Sequence, residues 1–317
     1  MLARVVMTRW SMGALAVLAC TGSVPIDPRW STARPLPEPL QEMHAAVLDG
    51  RVHIAGGFDQ SGQPTARAYR YDPAIDTWER IADLPAPRHH MPLAVANDTL
   101  YAVGGLSGSD FRAEATLWAY RVSTNTWEAR ALLPTPRGAS AVATVQGSLI
   151  VVGGFETMAG GGLVRATAIY DPTTDTWRGG APIPTPRDHL TAQAVGGIVY
   201  AIGGRPFDPN QNYDAVEAYD AATDRWAGKA SMPSRRGGLG SAALDGVIHA
   251  FGGETRSGVF ADHATYDPVA DRWTGAPPLP TARHGLGVAA VGGRIYVIGG
   301  GPRAGYAQTS VVEVFRP

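Results

Sequence analysis

Six glycine pairs recur along this chain of 317 residues, each directly after a short apolar run such as "LYAVGG" or "IYVIGG". A tryptophan precedes every pair by 26 residues, as Trp78 precedes Gly104. A fixed spacing of this kind indicates a structural repeat, in which one supersecondary unit stacks on the next. The first glycines are Gly56, Gly104, Gly153, Gly203, Gly252 and Gly299, and the tryptophans are Trp30, Trp78, Trp127, Trp177, Trp226 and Trp273.

Each repeat predicts four antiparallel strands, which we call a, b, c and d. Strand a is an apolar segment such as "GLGVAAV", and a two-residue turn such as Asp49-Gly50 leads into strand b, which ends at the glycine pair. A variable loop precedes strand c, which ends in an aromatic residue seven positions before the tryptophan of strand d. These aromatic residues are Tyr71, Tyr120, Tyr170, Tyr219 and Tyr266.

The double glycine, the tyrosine and the tryptophan at these spacings resemble kelch repeats, whose period is about 50 residues. The resemblance covers residues 30–317, and it implies an all-β, six-bladed β-propeller with four antiparallel strands per blade. WD40 repeats fit less well, because their period is shorter and their Trp-Asp signature is missing here. The resemblance also implies that the tyrosines and tryptophans fill the space between blades.

The two ends of the repeat array are predicted to complete one blade. The last repeat reaches Phe315 at the tyrosine position but has no tryptophan strand after it. Trp30 lies 26 residues before Gly56 and therefore supplies a d strand from the N-terminal end. Pairing of these two segments removes an open sheet edge, so we expect a closed ring.

Residues 1–20 read as an export signal followed by a short linker, 21–29. Arg4 and Arg9 precede an uncharged run, "WSMGALAVLA", that is too short to span a bilayer. The run ends at Cys20, the only cysteine, and "VLAC" resembles the bacterial lipobox. We expect an exported protein, periplasmic or at the cell surface, lipid-anchored at Cys20. Ordinary signal cleavage and an uncleaved anchor are the alternatives, and mass spectrometry of the native N-terminus distinguishes the three.

Composition restricts the partners. The formal net charge is -1 and 44% of the residues are hydrophobic, which gives no electrostatic reason to expect nucleic acid. We expect a monomer that contacts a membrane only through its lipid anchor.

The b-to-c loops are the predicted binding face, because all the length variation between repeats lies between a glycine pair and the next tryptophan. Arginines and aromatic residues collect on this face and suit a protein or an anionic glycan. The arginines that begin strand a remain open to a structural interpretation, in which they bond to loop carbonyls or acids. The predicted ligand-binding residues are Arg88, Arg137, Arg187, Arg205, Arg236, Arg256, Arg283, Arg303, Phe58, Phe111, Phe207, Tyr213 and Phe260, and Phe155 and Tyr306 lie in the same loops.

Histidines also cluster near strand a, but we predict no metal and no other cofactor. Three imidazoles from adjacent blades could hold a transition metal, yet the spacings show neither a short-range ligand motif nor matching carboxylates. The histidines are His44, His89, His90, His189 and His284.

Binding rather than catalysis is the function that the sequence favours. Copper enzymes with kelch-type blades use a Cys-Tyr crosslink, which a single cysteine in the export signal cannot supply. Periplasmic sialic acid mutarotases are a second resemblance, with a catalytic glutamate in such a loop and an arginine six residues on. Glu254 matches that glutamate, but Phe260 stands six residues on and Arg256 only two. Glu254 and Arg256 are therefore weak catalytic candidates, and a sugar mutarotase or epimerase is the alternative function.

Overall fold

The computed structural model describes residues 26–157 and 162–317, and it confirms a six-bladed propeller of four-stranded antiparallel sheets. The predicted export signal and Cys20 lie outside the described residues. The first three blades and the N-terminal strand contain β1 (Trp30–Thr32), β2 (His44–Leu48), β3 (Arg51–Ala55), β4 (Ala68–Asp72), β5 (Thr77–Ile81), β6 (Leu93–Ala96), β7 (Thr99–Val103), β8 (Leu106–Ser107), β9 (Arg112–Ala113), β10 (Leu117–Arg121), β11 (Thr126–Ala129), β12 (Ala141–Val145), β13 (Ser148–Val152), β14 (Thr167–Asp171) and β15 (Thr176–Gly180).

The remaining three blades follow the same order of strands. Short two-stranded ribbons, β8 with β9 and β22 with β23, extend two of the b-to-c loops. The strands are β16 (Thr191–Val195), β17 (Ile198–Ile202), β18 (Val216–Asp220), β19 (Arg225–Gly228), β20 (Gly240–Leu244), β21 (Val247–Phe251), β22 (Glu254–Thr255), β23 (Gly258–Val259), β24 (His263–Asp267), β25 (Arg272–Gly275), β26 (Gly287–Val291), β27 (Arg294–Ile298) and β28 (Val312–Phe315), with a 3-10 turn at Pro209–Gln211. In the described part of the chain, no helix has the length and apolar character needed to cross a membrane.

The innermost strand of every blade lines a channel along the propeller axis. Its walls come from the a strands, β2, β6, β12, β16, β20 and β26, and they carry small side chains such as Ala45, Ala94 and Ala143. Small residues suit this position because six strands converge on one axis. The channel volume is about 290 Å³.

The N-terminal strand closes the ring, as the spacing predicts. β1 pairs antiparallel with β28, with Trp30 opposite Phe315 and Thr32 opposite Glu313. The Trp30 side chain is only 6% exposed and packs against Phe315 and Phe251, with ring centroids 5.0 and 6.0 Å apart. The strand from one end of the chain therefore completes the sheet that the other end begins.

A repeated hydrogen-bond lock joins the outer edges of neighbouring blades. The buried Tyr170 hydroxyl donates to Asp175 at 2.6 Å, and Asp175 also accepts the backbone N–H of Ala131 in the preceding blade at 2.9 Å. Trp177 Nε1 donates to the Ala131 carbonyl at 2.8 Å. The same lock is formed by Asp76, Asn125, Asp224 and Asp271, so the tyrosine, tryptophan and turn residue act together in five of the six repeats.

Candidate functional site

Six equivalent residues, one from each blade, form a closed ring of backbone hydrogen bonds around the axis. Each lies just before strand a and donates its N–H to the equivalent carbonyl of the neighbouring blade, over 2.7 to 3.1 Å. All six have left-handed backbone angles, with φ between 49° and 67°. We call this set the axial ring: Glu42, His90, Ala139, His189, Gly238 and Gly285.

The loop after each glycine pair is fixed against the axial ring. The residue after the pair forms a β-bridge with the residue just before the axial-ring position, as Arg205 does with Asp188 and Glu254 with Gly237. Glycine is required in the pair, because Gly204 has φ 99° and a Cβ there would lie 2.7 Å from the Asp188 carbonyl. Repeat geometry thus places loop side chains directly above the ring.

A cavity of about 450 Å³ opens on the predicted b-to-c face above the axial ring. Its aromatic wall comes from five blades and holds together through ring contacts, such as Phe58 with Tyr306 at 5.0 Å and Phe155 with Phe207 at 5.5 Å. The wall consists of Phe58, Phe111, Phe155, Phe207 and Tyr306, and the polar floor consists of Glu42, His90, Asp188, His189, Arg205, Glu254 and His284.

Two carboxyl groups of the floor, Glu254 and Glu42, have pKa values shifted in opposite directions. Arg205 Nη1 donates to Glu254 Oε1 at 2.9 Å, and His284 Nε2 lies 3.4 Å from Glu254 Oε2 and 3.5 Å from Glu42 Oε1. Burial alone would raise the pKa of Glu254, but His284 and Arg205 bring it below its ordinary value. Burial and the nearby Glu254 charge raise the pKa of Glu42 to about 8, against a smaller opposing effect of Arg205.

The floor also brings together a group of side chains able to ligate a metal. In residues 26–157 and 162–317, one candidate group was found, Glu42, His90 and His189, whose ligand atoms lie within 4.8 Å of one another. Burial lowers the pKa of His90, and burial and the Arg205 charge lower the pKa of His189 against the opposing effect of Asp188. This set was not predicted from the sequence, because the spacing of Glu42 does not identify it as the carboxylate that accompanies the histidines.

The arginines that begin strand a do not line the cavity, and the expectation that they bind a ligand is corrected. Four are completely buried, and Arg88 is only 7% exposed. Arg187 Nε donates to the Gly203 carbonyl at 2.6 Å, and Arg283 Nη1 donates to the Gly299 carbonyl at 2.8 Å. Strand b ends at these glycines, so the guanidinium groups satisfy carbonyls that the sheet leaves unpaired. All five arginines at the start of strand a are buried and therefore have a structural role: Arg88, Arg137, Arg187, Arg236 and Arg283.

Comparison with known proteins agrees with the architecture. Residues 27–182 match the KLHDC2/KLHL20/DRC7 Kelch-repeats domain, and residues 186–233 match the Kelch motif. The chain belongs to the kelch-repeat family.

Kelch relatives match over short segments of much longer proteins. Human Kelch-like protein 31 is 34% identical over 82 residues, which are 24% of this chain and 13% of that protein. Alpha-scruin of Limulus polyphemus is 32% identical over 87 residues, 26% of this chain and 10% of that protein. The structure described as "Structure of YjhT" superimposes with a TM-score of 0.77 over 89% of this chain and 96% of that one. At 18% identity, this likeness shows a shared fold.

The remaining predicted residues of this kelch propeller divide between the cavity and its surroundings. Arg205 lies buried in the floor, and Arg256 reaches the rim with its side chain 70% exposed. Tyr213 lines a neighbouring depression, Phe260 is half-buried outside the cavity, and Arg303 is exposed on the loop that carries Tyr306. Tyr213, Phe260 and Arg303 therefore do not line the cavity, and their role in ligand binding stays a prediction.

Proposed function

We propose that the central cavity on the b-to-c face binds a small polyhydroxylated molecule, of the size of a monosaccharide or disaccharide. The combination of an aromatic wall with buried carboxylates in one cavity of about 450 Å³ carries this proposal. Aromatic faces pack against the apolar side of a sugar ring, and carboxylates accept hydrogen bonds from its hydroxyl groups. Kelch propellers typically act as protein-interaction modules, and a protein ligand would contact the rim of loops instead.

The charges of the cavity favour the rim as the position for an anionic group of the ligand. Arg205 is already paired with Glu254 at 2.9 Å and lies 3.6 Å from Asp188, so its charge is balanced within the protein. Arg256 is 70% exposed and only loosely paired, with Nη2 lying 3.4 Å from an oxygen of Asp208. A carboxylate on the sugar is therefore expected to contact Arg256, while the ring occupies the cavity below.

Removing Tyr306 from the wall is expected to weaken sugar binding about 5- to 10-fold, equivalent to about 1 kcal/mol of aromatic contact. Its side chain is 56% exposed, so the truncation leaves the core intact. The measurement is titration calorimetry with a panel of neutral and acidic mono- and disaccharides. Tyr213→Ala is the matched control, because Tyr213 lies on the same face outside the cavity. Absence of any saccharide binding, or equal losses in both variants, would count against the proposed cavity.

A sugar mutarotase or epimerase is the second candidate function, and one observation favours it. The second resemblance implies an arginine six residues after the catalytic glutamate, and this chain has Phe260 at that position. Arg205, from the neighbouring blade, lies beside Glu254 instead, at 2.9 Å. The carboxylate of Glu254 also contacts His284, so a proton acceptor and a cation meet in the floor.

Exchange between sugar anomers, followed by NMR, tests this candidate. We expect Glu254→Gln to abolish the catalysed exchange, because an amide of the same shape cannot accept the proton. The melting temperature reports whether the variant folds. Binding of the sugar with no enhancement of exchange by the unaltered protein would leave binding as the function.

A further inference from the structure

Three acceptor atoms converge in the axial ring beneath the cavity. His90 Nε2 lies 3.2 Å from Glu42 Oε2, and the rings of His90 and His189 have centroids 4.9 Å apart. The ligand atoms of all three side chains lie within 4.8 Å of one another. This geometry brings two imidazoles and one carboxylate to a common point.

Hydrogen bonds on the far side of each imidazole assign its tautomer. His89 Nε2 lies 3.2 Å from the Gly108 carbonyl and must donate to it, which leaves His89 Nδ1 as an acceptor. His90 Nδ1 lies 2.6 Å from that atom and therefore carries the proton. His189 Nδ1 likewise donates to the Asp188 carboxylate. The Nε2 atoms of His90 and His189 therefore carry no proton, and Nε2 of His90 faces Glu42 Oε2 at 3.2 Å.

We propose that Glu42, His90 and His189 bind one divalent first-row transition-metal ion. Two histidines and one carboxylate form a ligand set used by catalytic zinc sites and by non-haem iron sites, in which the other coordination positions stay open. Here all three side chains line the cavity. A histidine that donates its second nitrogen to a carboxylate, as His189 does to Asp188, is the usual outer contact of a metal ligand.

The axial ring fixes these ligands before an ion arrives. Glu42, His90 and His189 have φ values of 54°, 49° and 51°, which non-glycine residues adopt at an energetic cost. The ring hydrogen bonds hold that conformation. The other ring positions carry small residues, and a Cβ at Gly285 would lie 2.5 Å from Glu42 Cδ. Small residues there leave room for the Glu42 carboxylate.

The metal site goes beyond the proposed sugar site and is tested with Zn²⁺ alone. Purified full-length protein without a histidine tag, stripped with a chelator, is dialysed against Zn²⁺ and analysed by mass spectrometry of the metal. We expect one equivalent of bound Zn²⁺. When Co²⁺ replaces Zn²⁺, we expect a visible absorption spectrum typical of an ion bound by nitrogen and oxygen ligands. Sugar binding is measured separately, so failure of one proposal does not decide the other.

Alanine is the appropriate replacement for each ligand, because Ala139 already occupies an equivalent ring position with φ 51°. Glu42→Ala, His90→Ala and His189→Ala are each expected to weaken Zn²⁺ binding at least about 100-fold, and Asp188→Asn about 10- to 100-fold. His53→Tyr is the control, since Tyr101, Tyr200 and Tyr296 occupy its position in other repeats. It should bind Zn²⁺ like the unaltered protein.

Two results would overturn the metal site. One is unaltered protein that binds no Zn²⁺ at free concentrations up to about 1 mM, the weak limit of specific binding. The other is stoichiometric binding that survives all three alanine substitutions. Because the first result needs no variant, a ring variant that fails to fold does not weaken the test.

Discussion

Trp30→Ala is expected to lower the free energy of unfolding by about 3–5 kcal/mol, the range found for buried tryptophan truncations. Trp30 is 6% exposed and contacts Phe251, His263 and Phe315, which belong to two different blades. Its indole nitrogen also donates to the Pro277 carbonyl at 3.3 Å. Loss of this side chain therefore weakens both the closing blade and its junction with the preceding one.

Urea denaturation with linear extrapolation measures this loss. Thr32→Ala is the matched control, because Thr32 is an exposed residue of the same strand and should change stability by less than about 0.5 kcal/mol. Equal stability of the Trp30→Ala variant and the unaltered protein would show that the ring does not depend on its N-terminal strand.

Arg283→Ala is expected to cost a similar amount, about 3–5 kcal/mol, because it leaves a buried carboxylate without its partner. Arg283 is completely buried, and its Nη2 donates to Glu313 Oε2 at 2.6 Å. Its Nη1 also donates to the carbonyls of Gly299 and Val311, at 2.8 and 3.0 Å. With the bonds to the carbonyls of Thr281 and Val297, one substitution therefore removes an ion pair and four hydrogen bonds to the backbone.

The same denaturation measurement decides between the two roles considered for these arginines. Arg272→Ala, an exposed arginine on strand d, is the control and should be nearly silent. A variant of Arg283 that keeps its stability but loses sugar binding would restore the ligand-binding interpretation that the structure corrects.

The fold could be predicted from the sequence because its determinants repeat. Tyr219 stands seven residues before Trp226, and Trp226 stands 26 residues before Gly252, and the tyrosines and tryptophans of the other repeats keep these intervals. Asp224 stands at a turn position that recurs in the sequence. Its hydrogen bond from the Ala181 N–H could not be predicted, because Ala181 belongs to the preceding blade. Contacts between blades have no signature within a single repeat.

The candidate site was predicted less well for the opposite reason. Arg187, Arg236 and Arg283 each donate to the carbonyl of the first glycine of a pair, so their repetition reflects structure. The residue two positions later differs between blades, and those differences, such as Glu42 against Ala139, create the cavity floor. Glu42 escaped notice because its blade has Leu40 where the others have the arginine. The binding face of the propeller could be predicted from the sequence. The side chains that meet at its centre come from different blades and could be identified only in the closed ring.

Hydrogen exchange followed by mass spectrometry tests the central claim, that this propeller works through the cavity on its b-to-c face. The ligand is the saccharide from the panel that binds most tightly. We predict slower exchange in segments 41–43, 188–190, 254–256 and 304–307, which line the cavity and the ring below it. The turns before strand d, 72–76 and 267–271, should be unchanged. Protection of those turns, with the cavity segments unaffected, would contradict the account.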